Sequence, residues 1–111
     1  MKITNLENLP LQTVSHNPEI HKKVMLSMGD VPHLTNFSQA SFAPGQISTA
    51  HSHQDMCEVF FVTVGEGIIK IGDRNYSLNP GVCVAVEVEE VHEITNTGSQ
   101  ELILTYFGIK V

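Results

Sequence analysis

The sequence predicts an all-β fold, and three observations carry that reading. Gly, Pro, Asn and Asp recur between short apolar or β-branched stretches through the second two thirds of the chain, the rhythm of strands separated by tight turns. Two of those stretches, Gly72-Asp73-Arg74-Asn75 and Asn79-Pro80-Gly81, are turn sequences, and connections this short join antiparallel neighbours. Finally, 111 residues at 41% hydrophobic are material for one core and no more, so the strands belong to a single domain.

In chain order, residues 1–16 are polar and unpatterned, a surface arm or a short edge strand. Strands are expected at 22–27, 35–42, 57–64, 68–71, 75–78, 82–88, 91–96 and 102–109. Residues 18–28 also admit a helix. Asn17 would cap it, Pro18 would take the first helical position, Ile20, Val24 and Met28 stand at helical spacing, and Gly29 would stop it.

Composition excludes several function classes. Six Lys plus Arg against twelve Asp plus Glu give a net charge of −6, the wrong sign for binding a phosphate backbone through counterion release. The apolar runs fall far short of the ~18 residues of a membrane span, and MKITNLENLPLQ lacks a signal-peptide core. A cytoplasmic chain is therefore expected, without nucleic-acid or membrane partners. In that compartment Cys57 and Cys83 are reduced thiols, and Cys83, set among Val82, Val84 and Ala85, is expected to be buried and inert.

Six His equal the Lys and Arg together, and three of them form a pattern with a carboxylate. His51 and His53, two apart on an extended segment, leave the same face. Glu58 follows after four residues, at the start of the strand 57–64, and His92 opens a later strand. Three imidazoles and a carboxylate make a mixed nitrogen and oxygen donor set suited to Fe, Mn, Ni, Cu, Co or Zn. A lone His-x-His would more simply be a pair of solvated strand-end residues. The full spacing is what argues otherwise.

That spacing resembles the cupin superfamily. Gly45-QISTA-His51-S-His53-QDMC-Glu58-VFFVTV-Gly65 is similar to its first motif at every defining position. The second motif is similar in Gly81-VCVAV-Glu87-V-Glu89-EV-His92-EIT-Asn96, where glycine, His and Asn keep their places. Glu87 stands where the family has proline and Glu89 where it has glycine. The lost turn pair puts the aim of His92 in question, because Glu takes a positive φ less readily than glycine.

The resemblance implies a jelly-roll-like cupin β-barrel of two antiparallel sheets over residues 34–111, with 1–33 as an arm and edge strands continuous with it. It implies that His51, His53, Glu58 and His92 hold one divalent transition metal, and that the chain pairs into a homodimer through N-terminal strands and sheet edges. The expected function is that of a metal-dependent enzyme acting on a small organic molecule, dioxygenase-like or isomerase/lyase-like. The alternative is a non-catalytic small-molecule binding or sensing cupin with a bound metal. Storage, a third role of this fold, is weakened by retention of all four ligand types.

Other residues take secondary readings. Phe60 shares a strand face with Glu58 and is a candidate pocket residue beside the metal, as is Tyr106 on the last strand; ordinary core packing explains both as well. His16, His21 and His33 fit no pattern and are expected at the surface. Glu87, Glu89, Glu90 and Glu93 read as a solvated loop face.

Overall fold

The computed structural model describes residues 1–111. A 3-10 turn at Leu6–Asn8 leads into β1 (Gln12–Val14), β2 (Asn17–Ser27), β3 (Leu34–Phe42), β4 (Ile47–His51) and β5 (Met56–Val64). There follow β6 (Gly67–Ile71), β7 (Arg74–Leu78), β8 (Cys83–Val86), β9 (His92–Thr95) and β10 (Leu102–Lys110). The strands form two antiparallel sheets, one in the order β1-β2-β3-β10-β5-β8 and the other β4-β9-β6-β7. Each strand expected from residue 22 onward is present, β1 is the short edge strand that residues 1–16 admitted, and β4 is added.

The helix that residues 18–28 admitted is replaced by β2. Asn17 accepts a hydrogen bond from the Glu19 amide at 2.9 Å, the start of a helix cap, but its side-chain amide also donates to the Ile47 carbonyl at 2.9 Å, tying the segment to β4. The ladder to β3, from His21 opposite Ser41 to Ser27 opposite Asn36, then takes up the backbone groups a helix would have bonded internally. Ile20 is fully buried, whereas Met28, the third residue of the helical stripe, is 68% exposed. Tertiary pairing has overridden the local pattern.

Period-two burial builds the core. On β10, Leu102, Leu104, Tyr106 and Gly108 face inward while the residues between them are only partly covered. Phe60 and Val62 do the same on β5, Ala40 and Phe42 on β3, and Ile69 and Ile94 meet them from the second sheet. A fully buried leucine such as Leu104 contributes about 2 kcal/mol from apolar area alone. Cys83 departs from expectation. It is exposed, because Val84 and Val86 point inward on the edge strand β8 and the alternation sends Cys83 outward.

Two residues of the motif spacing are explained by packing. Gly65 has φ +89, and a Cβ there would run into the carbonyl of Glu101 and the backbone of Leu102, so only glycine fits. Asn96, 1% exposed, donates to the carbonyls of Phe42 at 2.9 Å and Gln100 at 2.8 Å and accepts from the Gly98 amide at 2.9 Å. Its backbone bonds to Gly45 and Gln46. It therefore joins the end of one motif to the beginning of the other.

Candidate metal centre

Three strands and the loop after β4 bring four side chains together. His51 closes β4, His53 lies two residues beyond it, Glu58 stands on β5 and His92 opens β9. His51 and His92 are partners in the β4–β9 ladder, and their ring centroids are 4.3 Å apart. One ligand atom from each of the four residues lies within 4.8 Å of every other. The two histidines and the carboxylate that sequence spacing placed together are thus joined by the fourth residue, from a strand more than thirty positions later in the chain.

Hydrogen bonding fixes two of the imidazoles. His51 Nδ1 lies 2.7 Å from the Thr49 carbonyl and His92 Nδ1 lies 3.0 Å from that of Glu90. A carbonyl only accepts, so each Nδ1 carries the proton and each neutral ring presents the lone pair of Nε2 to its partners. Glu58 Oε1 approaches His53 Nε2 at 2.9 Å and His92 Nε2 at 3.2 Å. These contacts lack hydrogen-bond alignment, and all three atoms are buried without a hydrogen-bond partner. Unpartnered buried acceptors are costly. Their separations are close to the ~3 Å between neighbouring ligand atoms around an ion with bonds of about 2.1 Å, so the donor set fits a divalent metal.

Electrostatics agree with that fit. Burial alone would raise the Glu58 carboxyl, but its contact with His92 and the charge of His53 hold it below the usual carboxylate range. Burial depresses His51, outweighing the bond to Thr49. For His92, burial works against the proton, yet Glu58 and the Glu90 carbonyl prevail and raise it. A cation bound here and a proton therefore compete for His92 Nε2.

The loop before His92 answers the question raised by the altered motif. Glu89 adopts φ 67, the left-handed conformation that glycine would take at no cost. The Glu87 amide donates to the Glu90 carboxylate at 2.8 Å, the Glu90 amide to the Glu87 carbonyl at 3.2 Å, and the Glu89 amide to the His53 carbonyl at 2.7 Å. The turn is kept without proline or glycine, and His92 is 1% exposed and aimed at the other three residues.

A cavity of about 150 Å³ opens from this cluster. Phe60 and Tyr106 line it, their rings stacked at 5.5 Å, and Phe60 lies 6.0 Å from the His92 ring. Both belong equally to the core. The Tyr106 hydroxyl is pushed up to about 12 by burial and the Glu58 charge, against the opposing influence of the Ser38 hydroxyl, so it stays a neutral phenol.

His16 and Lys22 also line the cavity, and sequence spacing found neither as a site residue. His16, although exposed, stacks on His51 with centroids 3.7 Å apart and planes inclined by 20°; burial and the neighbouring His53 lower its pKa. The β1–β2 turn brings it there, with its carbonyl accepting from Thr49 Oγ1 at 3.4 Å. No motif signals that contact. His21 and His33 are exposed, as expected, and line no part of the cavity.

The chain is a two-sheet antiparallel barrel with a three-histidine, one-carboxylate cluster of the kind that could hold a metal ion. Residues 38–108 match the family model described as a cupin domain, and the chain belongs to that family. It is similar to an oxalate-binding protein of Thermotoga maritima, 26% identical over 66 residues, which are 60% of this chain and 54% of that one. The chain thus spans about half the length of this curated relative.

Among solved structures, a predicted oxalate decarboxylase from Thermotoga maritima superposes with TM-score 0.87 at 19% identity, covering 100% of both chains. The polyketide cyclase RemF from Streptomyces resistomycificus gives 0.82 at 16%, covering 99% of this chain and 79% of that one. At these identities they establish the fold.

Proposed function

We propose that this chain is a mononuclear metal-binding cupin, with His51, His53, Glu58 and His92 as ligands, acting as a metal-dependent enzyme on a small organic molecule. The observation that carries the reading is the set of buried, unpartnered atoms His53 Nε2, His92 Nε2 and Glu58 Oε1, with a His51 atom in the same cluster. A bound Fe, Mn, Ni, Cu, Co or Zn ion would supply Lewis-acid polarisation of a substrate oxygen, with redox chemistry added for Fe or Cu.

The chain's own residues set what happens around it. Carbonyl bonds at Thr49 and Glu90 hold the His51 and His92 rings in one orientation. Phe60 and Tyr106 form an aromatic wall of the cavity, and the neutral Tyr106 phenol can donate a hydrogen bond to a substrate oxygen but not take its proton.

A second reading, non-catalytic binding of a small molecule, is favoured by the name of the oxalate-binding relative. That name also makes a small carboxylic acid the first ligand to test.

Elemental analysis of untagged protein tests the metal reading. One transition-metal ion per chain is expected for the wild type, and its loss in His51→Ala and His92→Ala; full metal content in His92→Ala would remove that residue from the set. Turnover that survives complete chelation would reject the enzyme mechanism, and saturable binding with no conversion would select the second reading.

A further inference from the structure

We propose that Lys22 is the second anchor of the site, and that with the metal cluster it selects a small dicarboxylate. The inference rests on the metal reading above. Lys22 stands opposite Ala40 in the β2–β3 ladder, and Ala40 is 2% exposed on the inner face of the sheet. Residues opposite each other across a ladder share a face, so Lys22 stands on the inner face, where it lines the same cavity as His51, His53 and Glu58, and it also borders a second groove with Glu7 and Glu101. Its neighbour Lys23 lies on the other face and donates to the Leu6 carbonyl at 3.1 Å.

Lys22 has no such partner. The ion pairs of the molecule are Lys2 with Asp30 and the two histidine contacts of Glu58. On β3 the cavity wall offers Ala40, Phe42 and Asn36, whose amide oxygen already accepts from Ser38 Oγ at 2.7 Å. An unpaired ammonium on a half-buried residue that lines the cavity is stabilised by an anion entering beside it.

Charge counting gives the valence of that anion. Apart from histidines, Glu58 and Lys22 are the charged residues lining the cavity. A divalent ion, the Glu58 carboxylate and the Lys22 ammonium sum to +2 when the imidazoles are neutral, inside a chain of net charge −6. A ligand with two negative charges restores neutrality, one carboxylate at the metal and the other toward Lys22. Size narrows the class, since about 150 Å³ is below the ~300 Å³ at which drug-sized pockets begin.

The test is calorimetric titration of Zn(II)-loaded wild type, Lys22→Met and Lys23→Met with oxalate, with formate as the monoanion and oxamide as the neutral isostere. Oxalate affinity should fall by about tenfold or more in Lys22→Met, the value of a charge-assisted hydrogen bond. Lys23→Met should bind as the wild type does, formate should change by less than about threefold, and oxamide should bind far more weakly than oxalate. Oxalate binding in Lys22→Met within roughly twofold of the wild type, oxamide binding as tight as oxalate, or no oxalate binding by the wild type would overturn the proposal. Zinc content and melting temperature, measured on the same samples, show that Lys22→Met is folded and loaded. They also separate the two readings: zinc uptake without a Lys22 effect rejects the anchor alone, whereas failure to take up zinc rejects the metal reading, and titration of the metal-free pair then decides on Lys22.

Discussion

Glu89 shows at a single residue how this chain departs from its family's spacing and what the departure costs. Its φ of 67 carries the steric penalty of a left-handed L-residue, about 1 kcal/mol, beside a loop that places His92. Glu89→Gly removes that penalty but enlarges the unfolded ensemble, so a net gain of about 0.5 kcal/mol is expected, read as a melting temperature higher by ~3 °C. A lower melting temperature would mean that the Glu89 side chain does more than occupy a strained position. Tyr106 supplies a pH prediction with a definite sign. Its folded value of about 12 lies above the ordinary value near 10, so the unfolded chain loses the phenolic proton first. The stability this burial contributes is fully present below about pH 10 and is lost as pH rises from there toward 12. In a Tyr76→Phe variant, which leaves Tyr106 as the one tyrosine, absorbance at 295 nm should show no tyrosinate until well above pH 10; a midpoint near 10 would place the phenol in water.

At the scale of elements, legibility followed the range over which each signal acts. β10 could be read because an apolar and β-branched stretch beginning at Leu102 follows the turn residues Asn96 to Ser99 in consecutive positions. The β6–β7 hairpin could be read because Gly72 and Asp73 close it locally, with Ile71 opposite Arg74. β2 was ambiguous because Ile20 and Val24 suit a helix as well as a strand, and only the distant β3 decides between them. Cys83 misled because an apolar run hides the two-residue alternation of an edge strand. At the site, His51, His53, Glu58 and His92 were legible through spacing, with the motif glycines and Asn96 as a frame around them. His16 and Lys22 were not, since their approach depends on where the first hairpin lies on the barrel, which no residue pattern within that hairpin records.

For the whole molecule, the unanswered surface is the outer face of the larger sheet. Phe37 and Phe107 pack edge to face there with centroids 6.2 Å apart, and Phe61 and Ile109 remain 43% and 44% exposed. Such a face, with β1 and β8 as free edges, is a liability in a monomer. A homodimer is the expected state, and sedimentation at micromolar concentration giving a strict monomer would overturn it.

The β1–β2 hairpin carries a different consequence. Val14, Ser15, His16 and Lys22 enclose the cavity, yet all precede residues 38–108, where the family match and the four clustered residues lie. On the proposed reading, the residues that would hold an ion all lie within the family match, whereas part of the wall that would choose what approaches it lies before the match. Exchanging the first thirty or so residues for those of another barrel of this kind would be a change of lock with the bolt left in place.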